Sequence, residues 1–149
     1  MITKWFNFYG LIFIAVIMIP NIIFAITNKD GFQNLYKNKS IETLEQIGRI
    51  GCFVFMILHI PPLVKGFWFD RAEIVYVIFG CLFVLIYVAG WIIFRHENSV
   101  RKSLFLSCVP SLLFIVSGAL LGNISLVVSS VIFAPCHILI SYKNAKSDL

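Results

Sequence analysis

The chain has 149 residues, of which 60% are hydrophobic, 15% aromatic and only 13% charged, with a mean hydropathy of +0.93. A soluble domain carries about a quarter charged residues and, at this size, leaves too much surface exposed to hide so much apolar matter; a disordered chain needs low hydrophobicity. Both classes are excluded, which leaves a polytopic membrane protein, a single transmembrane domain over residues 1–149 with no length for a separate soluble one.

Charged residues delimit the spans. Lys4 and Lys29 bracket 24 uncharged residues, Arg49 and Lys65 bracket 15, Glu73 and Arg95 bracket 21, and Lys102 and Lys143 bracket 40. Roughly 20 residues cross ~30 Å of hydrocarbon, so the last run holds two helices that turn at Gly122-Asn123. The expected fold is an all-α bundle of five transmembrane helices, at about 5–27, 43–63, 72–94, 104–121 and 124–142.

The first run, Trp5 to Ile26, is longer than a signal-peptide core and lacks both a basic leader and a small-residue cleavage site. It is expected to stay as a helix, with Asn7 and Asn21 on one face. The second helix is the irregular one. Ser40 is expected to open it in a capping-box-like way, and Pro61-Pro62 discourages helix beyond about Ile60. Along it Glu42, Glu45, Arg49, Cys52, Met56 and His59 step by three or four residues and stack on one face, with Glu45 and Arg49 in the favourable order for an ion pair.

The third helix presents Glu73, Tyr76, Gly80, Tyr87 and Trp91, and the fourth a small-residue face of Ser107, Ser111, Gly118 and Gly122 suited to close helix packing. The fifth aligns Asn123, Ser130, His137, Ser141 and Asn144.

Five spans put the termini on opposite sides. Lys4, Lys65 and Arg71 collect on one, and the other nine Lys and Arg on the other, so the positive-inside rule expects the N-terminus outside and the C-terminus in the cytoplasm. The net charge of +5 then reads as attraction to an anionic leaflet, not to nucleic acid. Trp5, Trp68, Trp91 and Tyr142 fall at span ends as interfacial anchors.

In this topology Asn21, Glu45, Arg49, Tyr87, His137 and Ser141 share the cytoplasmic half as a candidate ligand-binding cluster, with Ser107 nearby. His59, Glu73 and Tyr76 form a smaller outer cluster. The four Cys, one per span, read as packing residues rather than disulfides. No metal-ligand spacing, cofactor motif, phosphate loop or hydrolase motif occurs, so no metal, cofactor or catalytic residue is assigned. His137 and Ser141 are spaced as base and nucleophile, but no acid lies near them in sequence.

The segments Ile19-Pro20-Asn21, Glu45 to Cys52 and His137 to Asn144 resemble parts of an uncharacterised family of small five-helix bacterial integral membrane proteins. The resemblance implies a multi-pass protein of the bacterial cytoplasmic membrane, and it transfers no activity. Three functions fit the residues. The first is a non-enzymatic protein that binds or passes a small anionic solute or lipid headgroup at the inner cluster. The second is an accessory subunit, or a homo-oligomer, that docks a membrane-protein partner through the small-residue face. The third is an intramembrane enzyme using His137 or Glu45 as acid or base.

Overall fold

A computed structural model describes residues 5–28 and 35–147; Lys4, Lys29 and the middle of the 28–40 loop lie outside these. Five helices follow one another, α1 (Phe8–Thr27), α2 (Lys39–Ile57), α3 (Ala72–Ile93), α4 (Val100–Leu120) and α5 (Ile124–Ser147), with a short 3-10 turn at Pro61–Leu63. Four of them, α1, α3, α4 and α5, are long and apolar enough to cross a membrane.

The remaining helix, α2, is charged, and one of its charges, Glu45, is not where a water-exposed helix would put it. Glu45, Gly48, Cys52 and Met56 are buried, while Leu44, Ile47, Ile50, Val54 and Leu58 are exposed. A helix at a water surface buries its apolar stripe and exposes its polar one. Here an apolar row faces outward and Glu45 inward, although Lys39 and Gln46 are exposed and the Arg49 side chain is half-exposed.

The ends of α2 correct the sequence reading. Asn38, not Ser40, caps its start, with the Asn38 side chain accepting from Ile41 N–H at 3.3 Å. The helix stops at Ile57, well before Pro61, because its last carbonyls are captured from outside. Asn7 Nδ2 donates to the Met56 carbonyl at 3.1 Å, Asn123 Nδ2 donates to the Phe55 carbonyl at 2.8 Å, and Asn7 N–H donates to the Ile57 carbonyl at 2.8 Å. Helix-end carbonyls must find partners, and in a low-dielectric setting the penalty for leaving them bare is steep. Leu58 onward is then free to run extended, bridging Phe6 at Leu58 and Asn123 at Val64.

Helix α5 is the axis of the bundle. Both α2 and α4 pack along it, α3 packs on α4, and α1 lies against α3 and α2. Small residues set the distances. A Cβ on Gly48 would stand 2.7 Å from Phe133 N, one on Gly51 would strike Ser129 Oγ, and one on Gly118 would stand 2.9 Å from Val127 Cγ2. The backbone of α2 therefore rests almost directly on α5. Between them Cys52, Met56, Leu126, Phe114 and Phe133 are buried. The remaining helix faces carry exposed Ile and Leu, such as Ile74, Ile78, Leu82 and Leu85 on α3.

Candidate functional site

The antiparallel order brings the ends of α1, α3 and α5 to the same end of the bundle as the starts of α2 and α4. Lys37, Lys39, Arg95, Arg101, Lys143 and Lys146 cluster there in sequence, and we call it the basic end. The loop before α2 is tied to it by Tyr36 N–H, which donates to Asn144 Oδ1 at 3.0 Å.

Within this end the charged centre is Glu45, only 3% exposed. Its Oε1 accepts from Arg49 Nε at 3.0 Å and from Arg49 Nη2, and lies 2.9 Å from His137 Nδ1. Arg49 is one turn along the same helix; His137 comes from α5, brought close by the Gly48 contact with Phe133. The imidazole stacks on the Phe133 ring, with centroids 4.6 Å apart. A carboxylate accepts, so it fixes Nδ1 as the protonated nitrogen and leaves Nε2 available. The acidic partner that His137 lacks in its own sequence neighbourhood is supplied by another helix.

Two cavities flank this centre and share a wall made by Asn21, Tyr87 and His137. Tyr87 donates its hydroxyl to Asn21 Oδ1 at 2.9 Å, bridging α3 and α1. The first cavity, of about 240 Å³, is the more polar of the two: Lys102, Ser103, Ser107, Ser141 and Asn144 contribute to its lining, beside Trp91. The second, of about 280 Å³, is apolar, lined by Ile17, Ile22, Phe53, Phe114 and Phe133, with Arg49 in its wall. The structure thus brings together all six residues expected of the inner cluster. Asn21, Tyr87, His137 and Ser141 line the polar cavity, Arg49 the apolar one, and Glu45 lies behind His137 and Arg49.

Lys102 is what the sequence reading missed. The sequence reading uses it as a span boundary and as one of nine positive charges on one side, yet it is 8% exposed. Its Nζ donates to the Glu97 carbonyl at 3.0 Å and lies 5.5 Å and 5.6 Å from the ring centroids of Phe24 and Trp91. Those are cation–π distances. No carboxylate pairs with it among the described residues. A signal was present: a basic residue in the first turn of α4, after the Ser99 cap, opposes the helix dipole, which favours negative charge there. Trp91, expected as an interfacial anchor on the same stripe as Tyr87, is half-buried and forms the aromatic side of the same cavity.

The other expectations separate. His59 and Tyr76 are buried at the opposite end of the bundle, whereas Glu73 is exposed. Tyr76 is a structural partner, its hydroxyl accepting from Asn7 Nδ2 at 2.8 Å. His59 Nε2 is buried without a hydrogen-bond partner among the described residues. On α4, Ser107 and Ser111 donate back to the carbonyls of Ser103 and Ser107. Gly118 rests on Leu126 and Val127 of α5, and Gly122 sits past the helix end in the turn, at φ +57°. The small-residue face packs within the chain, and its last glycine answers a backbone conformation that other residues resist. Among the described residues no group of three or more His, Cys, Asp or Glu stands where it would hold a metal ion.

Compared with protein-family models, with curated proteins and with solved structures, the chain matches none.

Proposed function

We propose that this is a five-span protein of the bacterial cytoplasmic membrane, N-terminus outside and C-terminus inside, that binds an anionic group at its cytoplasmic end. The group is a carboxylate or phosphate, carried by a small solute or a lipid headgroup. Counting α2 as a span rests on its outward row of Leu44, Ile47, Ile50, Val54 and Leu58 and on the burial of Glu45. The orientation rests on the nine-to-three division of Lys and Arg. A reporter active only in the cytoplasm, fused after Leu149, is expected to work; a periplasmic signal from the same fusion would reverse the topology.

One observation carries the binding reading: Lys102, only 8% exposed, borders this cavity, and among the described residues no carboxylate lies within ion-pair distance of its ammonium, Glu97 acting on it from further away. Burying an unpaired charge is costly, and an anion in the cavity would offset that cost. Ser103, Ser141 and Asn144 add hydroxyl and amide groups around the same space, and the start of α4 adds its positive dipole end. Trp91 is a built-in reporter. With Trp5→Phe and Trp68→Phe it becomes the sole tryptophan. Its fluorescence should change saturably with inorganic phosphate or acetate, and Lys102→Gln should weaken that response at least about tenfold, the equivalent of ~1.4 kcal/mol. A response that does not saturate, or is indifferent to Lys102, defeats the reading.

The Glu45–His137 contact favours a second reading, acid–base chemistry at His137 Nε2 with Ser141 one turn away. It expects material isolated with the protein to be converted over time by the parent and left unchanged by His137→Gln.

A further inference from the structure

Lying behind the polar cavity, the apolar one has no use in holding a small ion. Its walls of Ile17, Ile22, Phe53, Phe114 and Phe133 would keep water out, and an empty space of that kind forfeits the contacts its lining could make. Asn21, Tyr87 and His137 line both it and the polar cavity. Either cavity alone, at about 240 or 280 Å³, falls short of the ~300–1000 Å³ usual for ligand pockets, so a ligand of ordinary size would have to occupy both across the residues they share. Two of its lining residues on α1, Ile22 and Ala25, are exposed on the outer surface of the bundle, so the cavity meets the surface that lipid would cover.

Charge is distributed to match. Arg49 lines the apolar cavity, and Lys102 the polar one. The Arg49 side chain is 41% exposed, and the Glu45 carboxylate it uses is shared with His137. One carboxylate thus serves two donors: it balances the Arg49 charge, so the net positive charge at the shared wall comes from Lys102, while Arg49 still has N–H groups to offer an anion.

We infer that the ligand is an anionic amphiphile, with its charged head at the Asn21–Tyr87–His137 wall between Arg49 and Lys102, and a single hydrocarbon chain in the apolar cavity. This rests on the anion-binding reading and specifies its ligand class. Lipid tails are as apolar as the cavity lining, so the chain gains little by leaving the bilayer. The charged head supplies the selectivity, and the cavity accommodates what is attached to it.

Bromine quenching locates the chain. Phe53→Trp, made in a background with Trp5, Trp68 and Trp91 replaced by Phe, puts a tryptophan in the apolar cavity; Leu85→Trp in the same background puts one on the exposed face of α3. Both proteins are placed in nanodiscs of unbrominated lipid, and dodecyl phosphate brominated near its chain end is added. Quenching at position 53 should saturate and be reversed by unbrominated dodecyl phosphate but not by dodecanol, while quenching at position 85 should rise linearly with mole fraction. Linear quenching at both positions, or reversal by dodecanol as well, overturns the amphiphile. If Trp91 still answers inorganic phosphate saturably, the anion-binding reading survives that result; if it does not, both fall. Should Phe53→Trp fail to fold, the unaltered chain provides the measurement. It should retain one dodecyl phosphate through detergent exchange, and retention of none overturns the inference.

Discussion

Asn7 and Asn123 hold adjacent carbonyls of one helix from two directions. Each uses its side-chain oxygen to receive the N–H three residues on, Gly10 for Asn7 and Leu126 for Asn123. Each then turns its amide NH₂ to the end of α2, at Met56 and Phe55 respectively. The residues that start α1 and α5 therefore also finish α2, and they do so fully buried. Replacing one removes a cap and strands a carbonyl. Asn123→Ala should destabilise the protein by about 1–2 kcal/mol, read as a lower midpoint in a detergent unfolding titration. Asn7→Ala should act similarly, losing the Tyr76 contact as well. Parent-like unfolding of both would show that water or lipid serves those carbonyls equally well.

Glycine substitutions test the α2–α5 and α4–α5 distances. Helix propensity favours Ala over Gly by about 1 kcal/mol, but overpacking costs about 1–3 kcal/mol. At Gly48 the obstacle is the backbone of Phe133, which cannot rotate away, whereas at Gly90 it is the ring of Phe105, which can. Gly48→Ala should therefore lower the thermal midpoint in detergent more than Gly90→Ala. Gly118→Leu should lower it too, since Leu126 and Val127 occupy the space. An unchanged midpoint for both Gly48→Ala and Gly118→Leu would mean that the helices lie further apart than described.

Lys102→Met separates binding from stability. Removing a buried, unpaired ammonium while keeping an apolar stem should leave the anion-free protein at least as stable as the parent. The same change should abolish the phosphate response of Trp91. A variant that unfolds earlier than the parent in the absence of anion would make Lys102 a structural cation, with its Glu97 carbonyl and aromatic contacts as its purpose.

Accessibility of the centre can be read with thiol probes. In a background lacking Cys52, Cys81, Cys108 and Cys136, Arg49→Cys and His137→Cys should both react with a water-soluble reagent added from the C-terminal side. The Arg49 side chain is 41% exposed, and His137, 23% exposed, also lines the polar cavity. Reaction at position 49 alone would leave an arginine at the lipid boundary, a packed histidine, and no water-filled site.

Much of this was legible in the primary sequence because membrane helices announce themselves by length and composition. Alternation of charged markers with uncharged runs located α1, α3, α4 and α5, and placed the α4–α5 turn at Gly122-Asn123, where φ is positive. Helical spacing put Glu45 beside Arg49, because residues four apart must share a face. Tertiary structure alone decided the rest. Asn38 rather than Ser40 starts α2, and Ile57 rather than Ile60 ends it, since two asparagines from other helices take the final carbonyls. His137 acquires its carboxylate from α2 only because Gly48 lets two backbones nearly touch. Lys102 could be counted as a charge but not as a cavity residue. Spacing along one helix tells which side chains share a face; which faces meet, and what space they leave between them, depends on side-chain volumes from several helices at once.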